Sequence, residues 1–76
     1  MNNMNNLYKE LLQIVENYCK NSPKPGFEIA YLENAKELWE LYIDAGLVLD
    51  EYEEENPDIV EEALTNILQQ AKEIVQ

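Results

Sequence analysis

Two proline-bearing breaks divide this chain into three segments, and each segment repeats its apolar residues at helical spacing. The breaks are Ser22-Pro23-Lys24-Pro25-Gly26 and Asn56-Pro57. Proline has no amide donor and disfavours a helical residue before it, so neither break continues a helix. In the first segment Leu7, Leu11, Ile14 and Tyr18 form one row, with Tyr8, Leu12, Val15 and Cys19 beside it. Lys9, Glu10, Gln13, Glu16, Asn17 and Lys20 fill the other side. The second row is Tyr31, Ala35, Leu38, Tyr42, Ala45, Leu49 and Tyr52, widened by Leu32, Trp39 and Ile43 into a broad apolar face. The third is Val60, Leu64, Ile67, Ala71 and Ile74, with Ile59, Ala63, Leu68 and Val75 alongside. No segment alternates with the period of a strand, and no internal repeat is present.

Helices are therefore expected over about residues 6–21, 28–54 and 57–75, within one domain covering residues 1–76. The fold class is all-α, a small antiparallel three-helix bundle, because short connections make sequential helices antiparallel neighbours. Asn6 is the expected N-cap of the first helix, and Asn56 that of the third, with Pro57 at its first position. Gly46 leaves two options. It either ends the second helix, giving four helices, or admits a close neighbour within a continuous one. The unbroken four-three spacing through Leu49 and Tyr52 favours continuity. Roughly twenty apolar side chains are available for one core, each contributing about 1.5–3 kcal/mol if fully buried, against chain entropy of similar size.

Charge is the second constraint. From Glu37 to Ala71 there is no Lys or Arg, yet this run carries eleven acids: Glu37, Glu40, Asp44, Asp50, Glu51, Glu53, Glu54, Glu55, Asp58, Glu61 and Glu62. Elsewhere five acids balance five lysines, so the formal net charge of −11 is a local field. A field this concentrated points to a positively charged partner. It excludes a phosphate-binding surface, which needs Lys and Arg, so neither direct nucleic-acid binding nor an anionic membrane is expected.

The chain is poor in catalytic groups, and no enzyme activity or cofactor is expected. It has no His for acid–base work near neutral pH and no Arg to clamp a carboxylate or phosphate. Ser22 and Thr65 have no activating base nearby in sequence. Cys19, the only cysteine, lies in an apolar row and reads as a buried structural thiol. Without His or a second Cys, the usual zinc sets cannot form. An EF-hand loop starting at Asp50 would put Glu55 where glycine is required and Pro57 inside the loop, so no metal site is expected. A lone thiol, no basic apolar leader and no apolar run near the roughly 18 residues of a membrane span predict a cytoplasmic protein.

What remains is the carboxylate surface. Glu33, Glu37, Glu40 and Asp44 are four, three and four apart, which stacks them on one face of the second helix. Glu51 and Glu55 extend the stripe if that helix passes Gly46. A surface built only for solubility usually mixes both signs. Asp58, Glu61 and Glu62 suit a helix N-terminus, whereas Glu37 to Glu55 have no such role. The expected partner-binding residues are Glu37, Glu40, Asp44, Asp50, Glu51, Tyr52, Glu54, Glu55, Asp58 and Glu62, with Tyr52 the aromatic expected to be partly exposed.

In general plan, a small helical scaffold with regularly spaced carboxylates, the chain resembles DNA-mimic proteins, among them phage-encoded inhibitors of restriction or CRISPR nucleases. It is also similar in size, acidity and helical character to nuclease immunity proteins. The resemblance implies an inhibitor or regulator that occupies a basic, nucleic-acid-binding surface of a nuclease or similar protein. The alternative is a helical adapter or homodimerisation module acting through the wide apolar face of the second helix. In such a dimer, repulsion is expected to drive the two acidic surfaces to opposite ends.

Overall fold

The computed structural model describes residues 3–52 and 55–76. It contains three helices: α1 (Asn3–Lys20), α2 (Glu28–Tyr52) and α3 (Pro57–Val75). They pack mutually into an all-α three-helix bundle measuring 46 × 19 × 16 Å. Tyr18 near the end of α1 stacks on Tyr31 near the start of α2, while Tyr8 stacks on Tyr42 further along, so these two helices are antiparallel. α3 runs parallel to α1, since Val75 at its end lines a surface groove with Ile14 and Tyr18.

The helix boundaries follow local chemistry, with two departures from expectation. α1 already runs through Asn6, which is therefore interior and does not cap; no Pro or Gly at residues 3–5 stops the helix from extending backwards. Asn56 does occupy the N-cap position of α3, with Pro57 at N1, but its side chain makes no capping hydrogen bond. Its carbonyl accepts from the Val60 amide at 3.1 Å, so the backbone alone begins the helix. The expected end of the second helix at 54 lies outside the described residues. Glu55 is in the connecting turn, its amide donating to the Tyr52 carbonyl at 3.2 Å.

The first connection is a turn from Lys24 to Phe27, closed by the Phe27 amide donating to the Lys24 carbonyl at 2.9 Å. Pro25 and Gly26 sit at its centre, and Gly26 has φ +90°. Proline followed by a left-handed glycine is what a type II turn requires.

Gly46 does not break α2. Its lack of a side chain makes room for Tyr8 of α1, whose hydroxyl oxygen lies 3.0 Å from where a Cβ would stand. The close-neighbour reading of this glycine is therefore the correct one.

The core is Leu11 and Val15 from α1, Leu38, Ala45 and Leu49 from α2, and Val60, Leu64, Leu68 and Ala71 from α3. Cys19 packs against this core only half-buried, where a buried structural thiol was expected. A chain of aromatics joins α1 to α2. Tyr8 and Tyr42 stack with centroids 4.7 Å apart, and Trp39 meets Tyr42 edge-on at 5.9 Å. Tyr31 donates its hydroxyl to the Cys19 carbonyl at 3.0 Å, and the Asn34 amide donates to the Tyr18 hydroxyl at 3.2 Å. The bond from Tyr31 satisfies a carbonyl that the end of α1 would otherwise leave unpaired.

Candidate partner-binding surface

Every described carboxylate is solvent-exposed, because a bundle this small has no interior able to hold a charge. At about 100° per residue, Glu33, Glu37, Glu40, Asp44 and Glu51 fall within roughly 60° of one another around α2. They form one row on its outer face, running about 27 Å along the helix. The continuity of α2 through Gly46 is what keeps Glu51 in line. The row has a gap between Asp44 and Glu51, where Leu47 and Val48 stand.

Not all the expected residues join it. Asp50 points about 100° away from Glu51, toward α1. There its charge acts on Tyr8, whose hydroxyl is pushed up to about 12 by burial first, then by the neighbouring Tyr42 hydroxyl and by Asp50. Glu55 lies in the turn and is exposed, so it does not extend the row at helical spacing. Glu54 lies outside the described residues, as does Glu53. Asp58, Glu61 and Glu62 are exposed on the first turns of α3, where with Thr65 and Asn66 they border a shallow depression. Thr65 is occupied locally, donating its hydroxyl to the Glu61 carbonyl at 2.8 Å. Tyr52 is 47% exposed and stands at the end of α2 beside the connecting turn.

Local stability does not explain the acids at the end of α2. Asp50 and Glu51 occupy its last turn, which carries no basic residue, so they sit at the negative end of the helix dipole. Asp58 occupies the first turn of α3, where the same charge is favourable.

The periodicity missed a second feature of α2. Leu32, Trp39 and Ile43, expected to widen the core-facing row, are exposed at 64%, 42% and 58%. Ile29 at 75% and Leu47 at 52% continue them into a ridge along the helix. The reason is geometric: two neighbours cover only part of the circumference of a helix, and Leu38, Ala45 and Leu49 already fill that part. The signal was present in the sequence, since the apolar residues of α2 span more of a helical wheel than one core face requires. The ridge lies immediately beside the acidic row, so the outer surface of α2 is half apolar and half acidic.

Among the described residues, no group of His, Cys, Asp or Glu converges to hold a metal ion. No helix among them is long and apolar enough to cross a membrane. No family model matches the chain, and no curated protein or solved structure is significantly similar to it.

Proposed function

We propose that this is a non-enzymatic binding protein whose acidic α2 face, continued by Glu55, Asp58 and Glu62, occupies a basic surface of a partner protein. The partner surface is one that itself binds nucleic acid, as on a nuclease. The observation that carries the reading is the row Glu33, Glu37, Glu40, Asp44 and Glu51: exposed, in line, and at its far end placed against the helix dipole. Charges that oppose folding are retained only if something else uses them.

Charge density sets how such a surface works. From Glu33 to Asp44 the row carries about one carboxylate per 5.5 Å of axis, against about 3.4 Å per phosphate on one DNA strand. One row is therefore sparser than the backbone it imitates, and it gains affinity by steering and counterion release. The apolar ridge beside the row favours a second mode, association through apolar contact, as in an adapter or a homodimer.

The test is capture from a source-cell lysate, washed first at low and then at moderate salt. Wild-type protein should retain basic nucleic-acid-binding proteins that salt releases. The variant Glu37→Gln, Glu40→Gln, Asp44→Gln, Glu51→Gln should fold but retain none of them. Equal retention by that variant would show that the acidic row is not the site.

A further inference from the structure

We infer that the apolar ridge of α2 is a homodimer interface in which α2 packs antiparallel against α2 of a second copy about a two-fold axis near residue 38. This rests on the second mode above and names its partner. The ridge consists of Ile29, Leu32, Trp39, Ile43 and Leu47, exposed by 42–75%. Together these side chains present on the order of 600 Å² per copy, at the upper limit of the largest patch on a typical monomer. Paired, they would remove about 1,200 Å² from water, the lower edge of a specific interface.

The spacing along the ridge is what identifies the occupant as a second copy. In an antiparallel pair centred near residue 38, Ile29 meets Leu47 of the second copy, and Leu32 meets Ile43. The two Trp39 side chains flank the axis, each braced from behind by Tyr42 and through it by Tyr8. Lys36, the only cation on α2, sits within the ridge, level with Glu40 of the second copy. A parallel pair would instead set Lys36 level with Lys36 and leave Glu40 with no cation opposite it. The Lys36–Glu40 pairing therefore favours the antiparallel arrangement.

The two-fold axis also decides where the acidic rows go. A rotation about an axis perpendicular to both helices keeps each row on the same side of the pair. The rows lie next to each other rather than at opposite ends, which reverses the arrangement expected from repulsion alone. Side by side they carry about one carboxylate per 2.8 Å, approaching the roughly 1.7 Å per charge of a DNA duplex. Dimerisation is then the step that gives the acidic face its density, and added salt should strengthen it by screening the two rows.

The experiment is sedimentation equilibrium of the full chain from micromolar to millimolar concentration, at low and at moderate salt. The expected result is a mass that doubles with concentration, more readily in salt, with a blue shift in the emission of Trp39, the only tryptophan. Ile43→Glu should stay monomeric while keeping the wild-type circular dichroism. If it unfolds, Leu32→Glu serves the same purpose at the other end of the ridge. Lys36→Glu should weaken the dimer, and Lys36→Glu with Glu40→Lys should restore it. A monomer under all conditions, a dimer indifferent to Ile43→Glu and Leu32→Glu, or no rescue by the charge swap would overturn the proposal. The variant Glu37→Gln, Asp44→Gln, Glu51→Gln, which keeps the Glu40 opposite Lys36, should lose partner capture but still dimerise, so the two losses are read separately.

Discussion

α3 and α2 are both acid-bearing helices of the same bundle, yet folding accounts for most of one and only part of the other. In α3, Val60, Leu64, Leu68 and Ala71 are buried, and its exposed large apolar residues, Ile59 and Val75, stand near its two ends. Asp58 is placed where the helix dipole welcomes it and Lys72 where a cation is welcome. In α2, Leu38, Ala45 and Leu49 are buried, but an equally apolar ridge faces solvent along most of the helix. Its last turn holds acids and no base. The excess in α2, apolar surface beyond the needs of the core and charge in the wrong place for the helix, is where a function external to the fold belongs.

The largest test of that contrast is to cut side chains from the two sides of α2. Leu38→Ala, fully buried, should cost about 2–5 kcal/mol, a large share of what a small bundle possesses. Ile43→Ala, at 58% exposure, should cost less than about 1 kcal/mol at concentrations where the protein is monomeric. Denaturant melts measure both, and equal costs would place the ridge in the core.

Alkaline pH probes the aromatic contact between α1 and α2. The Tyr8 hydroxyl titrates near 12 in the folded protein against 10 for an unperturbed tyrosine. Its contribution to stability is therefore complete below pH 10 and lost as pH rises through 12. Melting temperature should fall across that window, and Tyr8→Phe should remove part of the fall. An unchanged slope would dissociate Tyr8 from the packing of α2.

Gly46 tests the same contact from the other side. Alanine there gains helix propensity, but its Cβ meets the Tyr8 hydroxyl at 3.0 Å and the ring must shift. In a Tyr8→Phe background that obstruction is gone, and Gly46→Ala should stabilise by about 0.5–1 kcal/mol. A double-mutant cycle reads the difference.

The smallest effect returns to the two helices directly. Glu51→Lys should stabilise by about 0.3–1 kcal/mol, and Asp58→Lys should destabilise by a similar amount, both shrinking in salt. Shifts of the same sign would mean that the dipole does not distinguish these acids.

Much of this was legible from residue order. The breaks at Ser22 to Gly26 and at Asn56-Pro57 located both connections, and the row Val60, Leu64, Ile67, Ala71, Ile74 anticipated the inner face of α3. The acids from Glu33 to Asp44 were correctly read as one outward row, since the helical period places them without reference to any neighbour. Asn6 was misread as a cap because an asparagine inside a helix and one that begins it look alike until the backbone is known. Glu55, expected to extend the row at helical spacing, lies past the end of α2, and Asp50 stands about 100° from Glu51, because helical spacing holds only within the helix and adjacent residues face apart.

The sequence by itself determined that the chain is helical, that it is interrupted at Ser22 to Gly26 and at Asn56-Pro57, and that one half carries the negative field, because spacing, proline and charge act over a few residues. That the second helix runs unbroken through Gly46 was left to the structure. Only the tertiary structure decided that Tyr8 fills the place of a side chain at Gly46 and that Leu38 is core while Ile43 is surface. Both depend on which part of each helix its two neighbours cover, and in a bundle of three that coverage leaves one side of α2, apolar and acidic together, open to a partner.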